Sequence, residues 1–159
     1  WGFQLSNIGA KVKYEDLGKE YFIPTNLKIG ASYNLLFSEL HSISLLVEAN
    51  KLLVPSVPEG NEDFLQGIFK SFSDAPNGFS EEWHEISKAI GVQYAYNQQF
   101  FVRTGYHYQH PNKGDLQYFT VGTGVKYKSL QLDFSYLFST AKTHNPLSST
   151  LKTSLQYLF

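Results

Sequence analysis

The stretch Ser149–Phe159 reads S-T-L-K-T-S-L-Q-Y-L-F. Side chains alternate with period two along a strand, so Leu151, Thr153, Leu155, Tyr157 and Phe159 share one face. Lys152, Ser154 and Gln156 share the other. The stretch closes on an aromatic residue with no polar tail, although the ends of water-soluble domains usually fray into solvent. An amphipathic strand at the end of an ordinary domain would alternate too, but it gains little from a terminal Phe. A strand that seals a barrel in lipid must stay apolar on one face along its whole length.

Working outward, the composition narrows the class. The chain has 159 residues, a formal net charge of -1 and no basic run, so nothing favours nucleic acid. It has 0 Cys, which removes disulfides, thiolate metal sites and Cys nucleophiles together. Mean hydropathy is -0.26 and no run of about 18 apolar residues exists, so no helical membrane span is expected. The 11 Tyr and 13 Phe are a surplus for so polar a chain, and interfacial aromatic girdles would account for it. There is no Met, and the chain opens on Trp1-Gly2-Phe3 already inside an alternating pattern. A processed chain, or a piece of a longer one, is therefore expected.

The alternation of the last stretch recurs. Trp1, Phe3 and Leu5 open the chain, and Asn7 to Pro24 is loop-like. Leu27 to Phe37 and Ile43 to Ala49 follow as strands, joined by a brief connection at Ser38 to His41. A long excursion runs from about residue 53 to 84. Ile86 to Tyr96, Phe100 to Tyr108, Phe119 to Tyr127 and Leu130 to Phe138 then alternate in turn, before the closing strand. That predicts about eight strands of roughly ten residues, which at a 45° tilt span about 23 Å, close to the apolar band of an outer-membrane barrel.

Connections near Asn7, Leu53, Pro111 and Ser139 are long or rich in breakers, whereas those near Ser38, Asn97 and Lys128 are tight. Counting back from a periplasmic C-terminus puts every tight turn in the periplasm and every long loop outside. A soluble meander or lipocalin-like barrel is the rival. It would turn Lys28, Glu48, Arg103, Lys126, Asp133 and Lys152 to water, where a membrane barrel turns the same charges into a polar lumen. Alternation fixes the faces and not which one is inside. The loop asymmetry and the closing stretch favour an all-β, transmembrane, antiparallel up-and-down β-barrel of the outer-membrane type. One domain over residues 1–159 is expected, with the long loop at about 53–84 extracellular. Leu155, Tyr157 and Phe159 would form its assembly signal.

In that loop, Asn61-Glu62-Asp63 is a helix start. Phe64, Leu65, Ile68, Phe69 and Phe72 recur at helical spacing, and Gly67 weakens it. Ser73 to Gly78 is a turn cluster, and Phe79 and Trp83 follow. So many apolar residues either fold back on the barrel mouth or meet a partner. Phe64, Phe69, Phe72, Asp74, Pro76 and Phe79 are the candidate partner-binding residues.

For chemistry the signals are weak. None of His41, His84, His107, His110 and His144 stands at metal-ligand spacing with a partner, so no metal or cofactor is expected. Ser80, Glu81, Glu82 and Glu85 near His84 could be arranged as a hydrolytic triad, but interfacial polar residues account for them.

Four segments carry a family resemblance: F-I-P-T-N-L-K-I-G (22–30), G-I-F-K-S-F-S-D-A-P (67–76), F-F-V-R-T-G-Y (100–106) and N-P-L (145–147). Together they resemble the PorV family, outer-membrane barrel proteins of the type IX secretion system of Bacteroidetes. That family is similar to FadL-type transporters, whose full barrel has 14 strands, so the eight here imply a C-terminal portion. The resemblance implies no cofactor. It implies a carrier in the bacterial outer membrane, surrounded by lipid and lipopolysaccharide. The carrier would take secreted cargo bearing a C-terminal signal domain from the translocon barrel to the cell-surface sortase complex. A FadL-like channel for small hydrophobic molecules and a lipid A deacylase are the alternatives. The inward Gly, Ser, Gln and charged residues argue against the channel, and no triad supports the enzyme.

Overall fold

The structure, a computed structural model, describes residues 1–13, 20–55, 64–72, 83–141 and 149–158. In chain order its elements begin with β1 (Gly2–Ser6), β2 (Val12–Lys13), β3 (Glu20–Tyr21), β4 (Asn26–Leu36) and β5 (His41–Leu52). They continue with the helix α1 (Phe64–Lys70), β6 (Ile86–Tyr96), β7 (Phe100–Tyr108) and a short 3-10 turn at Pro111–Lys113. Last come β8 (Tyr118–Tyr127), β9 (Leu130–Ser139) and β10 (Thr150–Tyr157).

Eight of the strands form one up-and-down antiparallel sheet in the order β1-β4-β5-β6-β7-β8-β9-β10. The sheet is not closed: β1 and β10 are its two edges. β2 and β3 make a separate two-residue ladder, Val12 opposite Tyr21 and Lys13 opposite Glu20, inside the segment expected to be loop. No helix among the described residues is long and apolar enough to cross a membrane.

The registers follow from tight turns. Tyr96 pairs Phe100 across the turn Asn97–Gln99, where Asn97 and Gln98 both take φ 51°. The N–H of Gln99 closes that turn on the Tyr96 carbonyl at 3.0 Å. Tyr127 pairs Leu130 across Lys128-Ser129, with Lys128 at φ 53°. Left-handed backbone at a hairpin tip matches the twist of its strands, and it fixes which face every later side chain takes.

Contacts divide the chain into two compact units, one of Trp1–Ile29 with Ala49–Ser87, the other of Gly30–Glu48 with Lys88–Phe159. In the second unit the two faces differ in a way that decides the class. On β8, Phe119, Val121, Thr123, Val125 and Tyr127 are exposed, while Thr120, Gly122, Gly124 and Lys126 between them are covered or half-covered. On β9, Leu130, Leu132 and Phe134 are exposed and Gln131, Asp133 and Ser135 are half-buried. On these two strands the apolar face is the open one and the polar face the covered one, whereas on the edge strand β10 both faces are exposed.

A water-soluble fold does the reverse, because each fully buried Val, Leu or Phe side chain contributes about 1.5–3 kcal/mol. Among the described residues the buried hydrophobic side chains are only Leu53, Ala95, Phe101 and Leu137. Apolar outside and polar inside is the arrangement of a membrane barrel strand.

Candidate functional site

The first unit holds the long connection. Within it α1 is a short helix with two unlike sides. Gly67 is buried against Phe22, and a Cβ there would meet the Phe22 ring edge at 2.6 Å, so only glycine lets the helix approach this closely. Ser71, fully buried, donates its Oγ to the Ile68 carbonyl at 2.7 Å and its N–H to the Gly67 carbonyl at 3.0 Å, so it satisfies two carbonyls of the last turn. Leu65, Phe69 and Phe72 lie at i, i+4 and i+7, one stripe of the helix and the turn that follows it. All three are exposed, Phe69 by 74% and Phe72 by 49%.

Two anchors hold the frame around this stripe. Lys51, at the end of β5, donates to Glu85 just before β6 at 2.7 Å, with the two side chains only 9% and 13% exposed. The Lys51 ammonium also stands 6.0 Å from the Phe72 ring. The second anchor is Thr25, which is buried. Its Oγ1 donates to the Asn7 carbonyl at 2.9 Å, and its own carbonyl accepts from Leu53 N–H at 2.7 Å. The segment after β1 and the segment after β5 thus meet on one residue.

The second unit carries a polar network across four strands. Arg103 of β7 donates its Nε to Gln93 of β6 at 2.6 Å and pairs through Nη1 with Asp133 of β9. Asp133 also accepts from Gln131 Nε2 at 2.8 Å. To reach Asp133 the guanidinium must pass over β8, where Gly124 is the residue opposite Asp133. A Cβ on Gly124 would overlap the Asp133 carboxylate and lie 3.3 Å from Arg103 Nη1. One on Gly122 would meet the Phe134 carbonyl at 2.9 Å. The glycines of the Val-Gly-Thr-Gly run are therefore the floor of the network. Beside it lies a trough of about 360 Å³ whose lining includes Thr120, Ser135, Lys152 and Ser154 as well as the Arg103–Asp133 pair.

Of the residues expected to bind a partner, Phe69 and Phe72 share the exposed stripe, and Leu65 joins them. Phe64 begins α1. Asp74, Pro76 and Phe79 lie outside the described residues, as do Ser80, Glu81 and Glu82. Glu85 is held by Lys51. Of the assembly signal, Leu155 and Tyr157 are exposed on β10, and Phe159 lies outside the described residues.

Sequence reasoning missed three features: the Phe22–Gly67 seat of α1, the Lys51–Glu85 anchor and the Arg103–Asp133 bridge. The glycine at the centre of an apolar helical pattern was the one available signal for the first.

The family model described as type IX secretion system protein PorV matches residues 1–59. The match supports identification with the PorV family. It runs from β1 through β5, including the Thr25 anchor and Phe22, and ends before α1. No curated protein matches the chain.

Proposed function

We propose that this PorV-family chain is an outer-membrane β-barrel protein that takes secreted cargo on the aromatic stripe of α1. Cargo bearing a C-terminal signal domain would pass from the translocon barrel to the surface complex that attaches it to lipopolysaccharide. The observation that carries the reading is the exposure of Leu65, Phe69 and Phe72 on a helix whose other side is seated by Gly67 and Ser71. Large apolar groups held rigidly towards solvent are a binding surface in waiting, because the scaffold has already met the cost of ordering them. Each Phe fully buried by a partner contributes about 1.5–3 kcal/mol, so a few suffice for reversible capture.

The open apolar face and covered polar face of β8 and β9 support the barrel reading. Both sheet edges must be paired inside lipid, since each unsatisfied backbone group there costs several kcal/mol. A channel for small hydrophobic molecules fits less well, because Arg103, Asp133 and Lys152 and the hydroxyls of Thr120, Ser135, Thr150 and Ser154 stand among the residues that line the trough. The test replaces Phe69 and Phe72 with Ser and measures barrel abundance and surface cargo in the same cells. Cargo display should fall while heat-modifiable barrel stays constant. A parallel fall in both would mean that the aromatics only pack the barrel mouth. No change in either would move the binding surface to the Asn7 to Pro24 segment.

A further inference from the structure

The first unit contains a largely apolar pocket of about 250 Å³ that shares Phe72, but neither Leu65 nor Phe69, with the cargo-binding stripe. Leu27, Ile29, Ala49 and Ile86 form its floor, and Phe72 and Trp83 of the long connection stand over them. By period-two alternation Leu27 and Ile29 share a face of β4 with Tyr33. Ala49 shares one with Leu45 and Val47 on β5, and Ile86 one with Ile90 and Tyr94 on β6. Ile29, Val47, Ile90 and Tyr94 are exposed. The floor is thus the end of the face that the barrel turns to lipid, at the side where the long connection leaves.

We propose that this pocket holds one acyl chain of an outer-leaflet membrane lipid. The inference rests on the membrane reading given above. Three observations select this occupant. The floor continues the lipid-facing surface of three strands, so hydrocarbon is the solvent that already reaches it. Among the described residues the lining is apolar apart from Asn50 and Lys51, and Lys51 is engaged by Glu85. Its volume suits a chain segment, being just below the range of small-molecule pockets and far below a folded domain. Trp83, half exposed at the rim, has the position at which amphipathic aromatic rings mark the water–lipid boundary.

Trp83 also provides the readout, because these 159 residues hold one other tryptophan, Trp1. The full chain carrying Trp1→Phe would be folded in detergent micelles and titrated with phosphatidylcholine brominated on its acyl chains. Heat modifiability would be followed in the same samples. Saturable quenching of Trp83 at a single lipid per barrel is expected. Ala49→Phe, which fills the pocket from its floor, should remove the saturable component while the barrel stays heat-modifiable. Ile29→Phe is the second filling variant should the first fail to fold.

Quenching that rises linearly with lipid and is unchanged by either variant would overturn the proposal, since Trp83 would then report only bulk lipid. Saturation by a brominated free fatty acid but not by the diacyl lipid would overturn the assignment to a membrane lipid. A parent chain that never becomes heat-modifiable would sink the membrane reading itself, and this proposal with it.

Discussion

Gly124→Ala is expected to damage the barrel out of proportion to one methyl group. The added Cβ would overlap the Asp133 carboxylate and press on Arg103 Nη1, so the ion pair across β8 must open. The paired side chains are 34% and 17% exposed. That places the loss between a surface pair, about 0–1 kcal/mol, and a fully buried one with a partner removed, about 3–5 kcal/mol. A destabilisation of roughly 1–3 kcal/mol follows, read as a lower denaturant midpoint for the heat-modifiable form in vesicles.

Gly2→Ala is the control, because nothing lies within 4 Å of its Cβ position. The decisive comparison repeats Gly124→Ala in an Asp133→Ala background. With the carboxylate gone, the extra methyl has room, and its cost should fall to within about 0.5 kcal/mol of zero. An undiminished cost in that background would refute the argument that glycine serves there to let Arg103 reach Asp133.

Other predictions follow from the first unit. Lys51→Met should cost up to about 3–5 kcal/mol, because it removes the ammonium that Glu85 meets at 2.7 Å in a nearly buried site, while the double change Lys51→Met with Glu85→Leu should cost less; denaturant midpoints measure both. Gly67→Ala should unseat α1 from Phe22 and raise proteolysis within the long connection without lowering the heat-modifiable fraction. Adding Phe22→Ala should restore protection, and unaltered cleavage in all three forms would mean that α1 is not held by this contact.

Much of this was legible in the residue order, for a physical reason. A strand between water or lipid and a polar lumen must alternate, so Ile86–Tyr96 and Leu130–Ser139 declare themselves residue by residue. The helix at Phe64–Lys70 declared itself by the spacing of Phe64, Leu65, Ile68 and Phe69. The ladder of Val12–Lys13 on Glu20–Tyr21 did not, since two residues cannot display a period. Nor did the bridge from Arg103 to Asp133. It depends on the registers of β7, β8 and β9 together, and its enabling residue, Gly124, has no side chain to give a pattern. Gly67 looked like a flaw in a helix because its reason, Phe22, lies far back in the chain. Lys51 sat on an otherwise apolar face and made sense only once Glu85 was beside it.

The central claim is that the open apolar face meets lipid, and β10 tests it most directly. Leu155 is 70% exposed and stands opposite Leu132, whereas Ser154 stands opposite Asp133 on the polar face. If that exposed face met water, Leu155→Arg would change stability by no more than about 0.5 kcal/mol, as surface substitutions usually do. If it meets the middle of a bilayer, the same change should cost roughly 2–4 kcal/mol, and Ser154→Arg far less. The measurement is the difference in unfolding free energy of the two variants in lipid vesicles. A large cost at Leu155 alone is predicted; equal tolerance at both positions, or a larger cost at Ser154, would contradict the account.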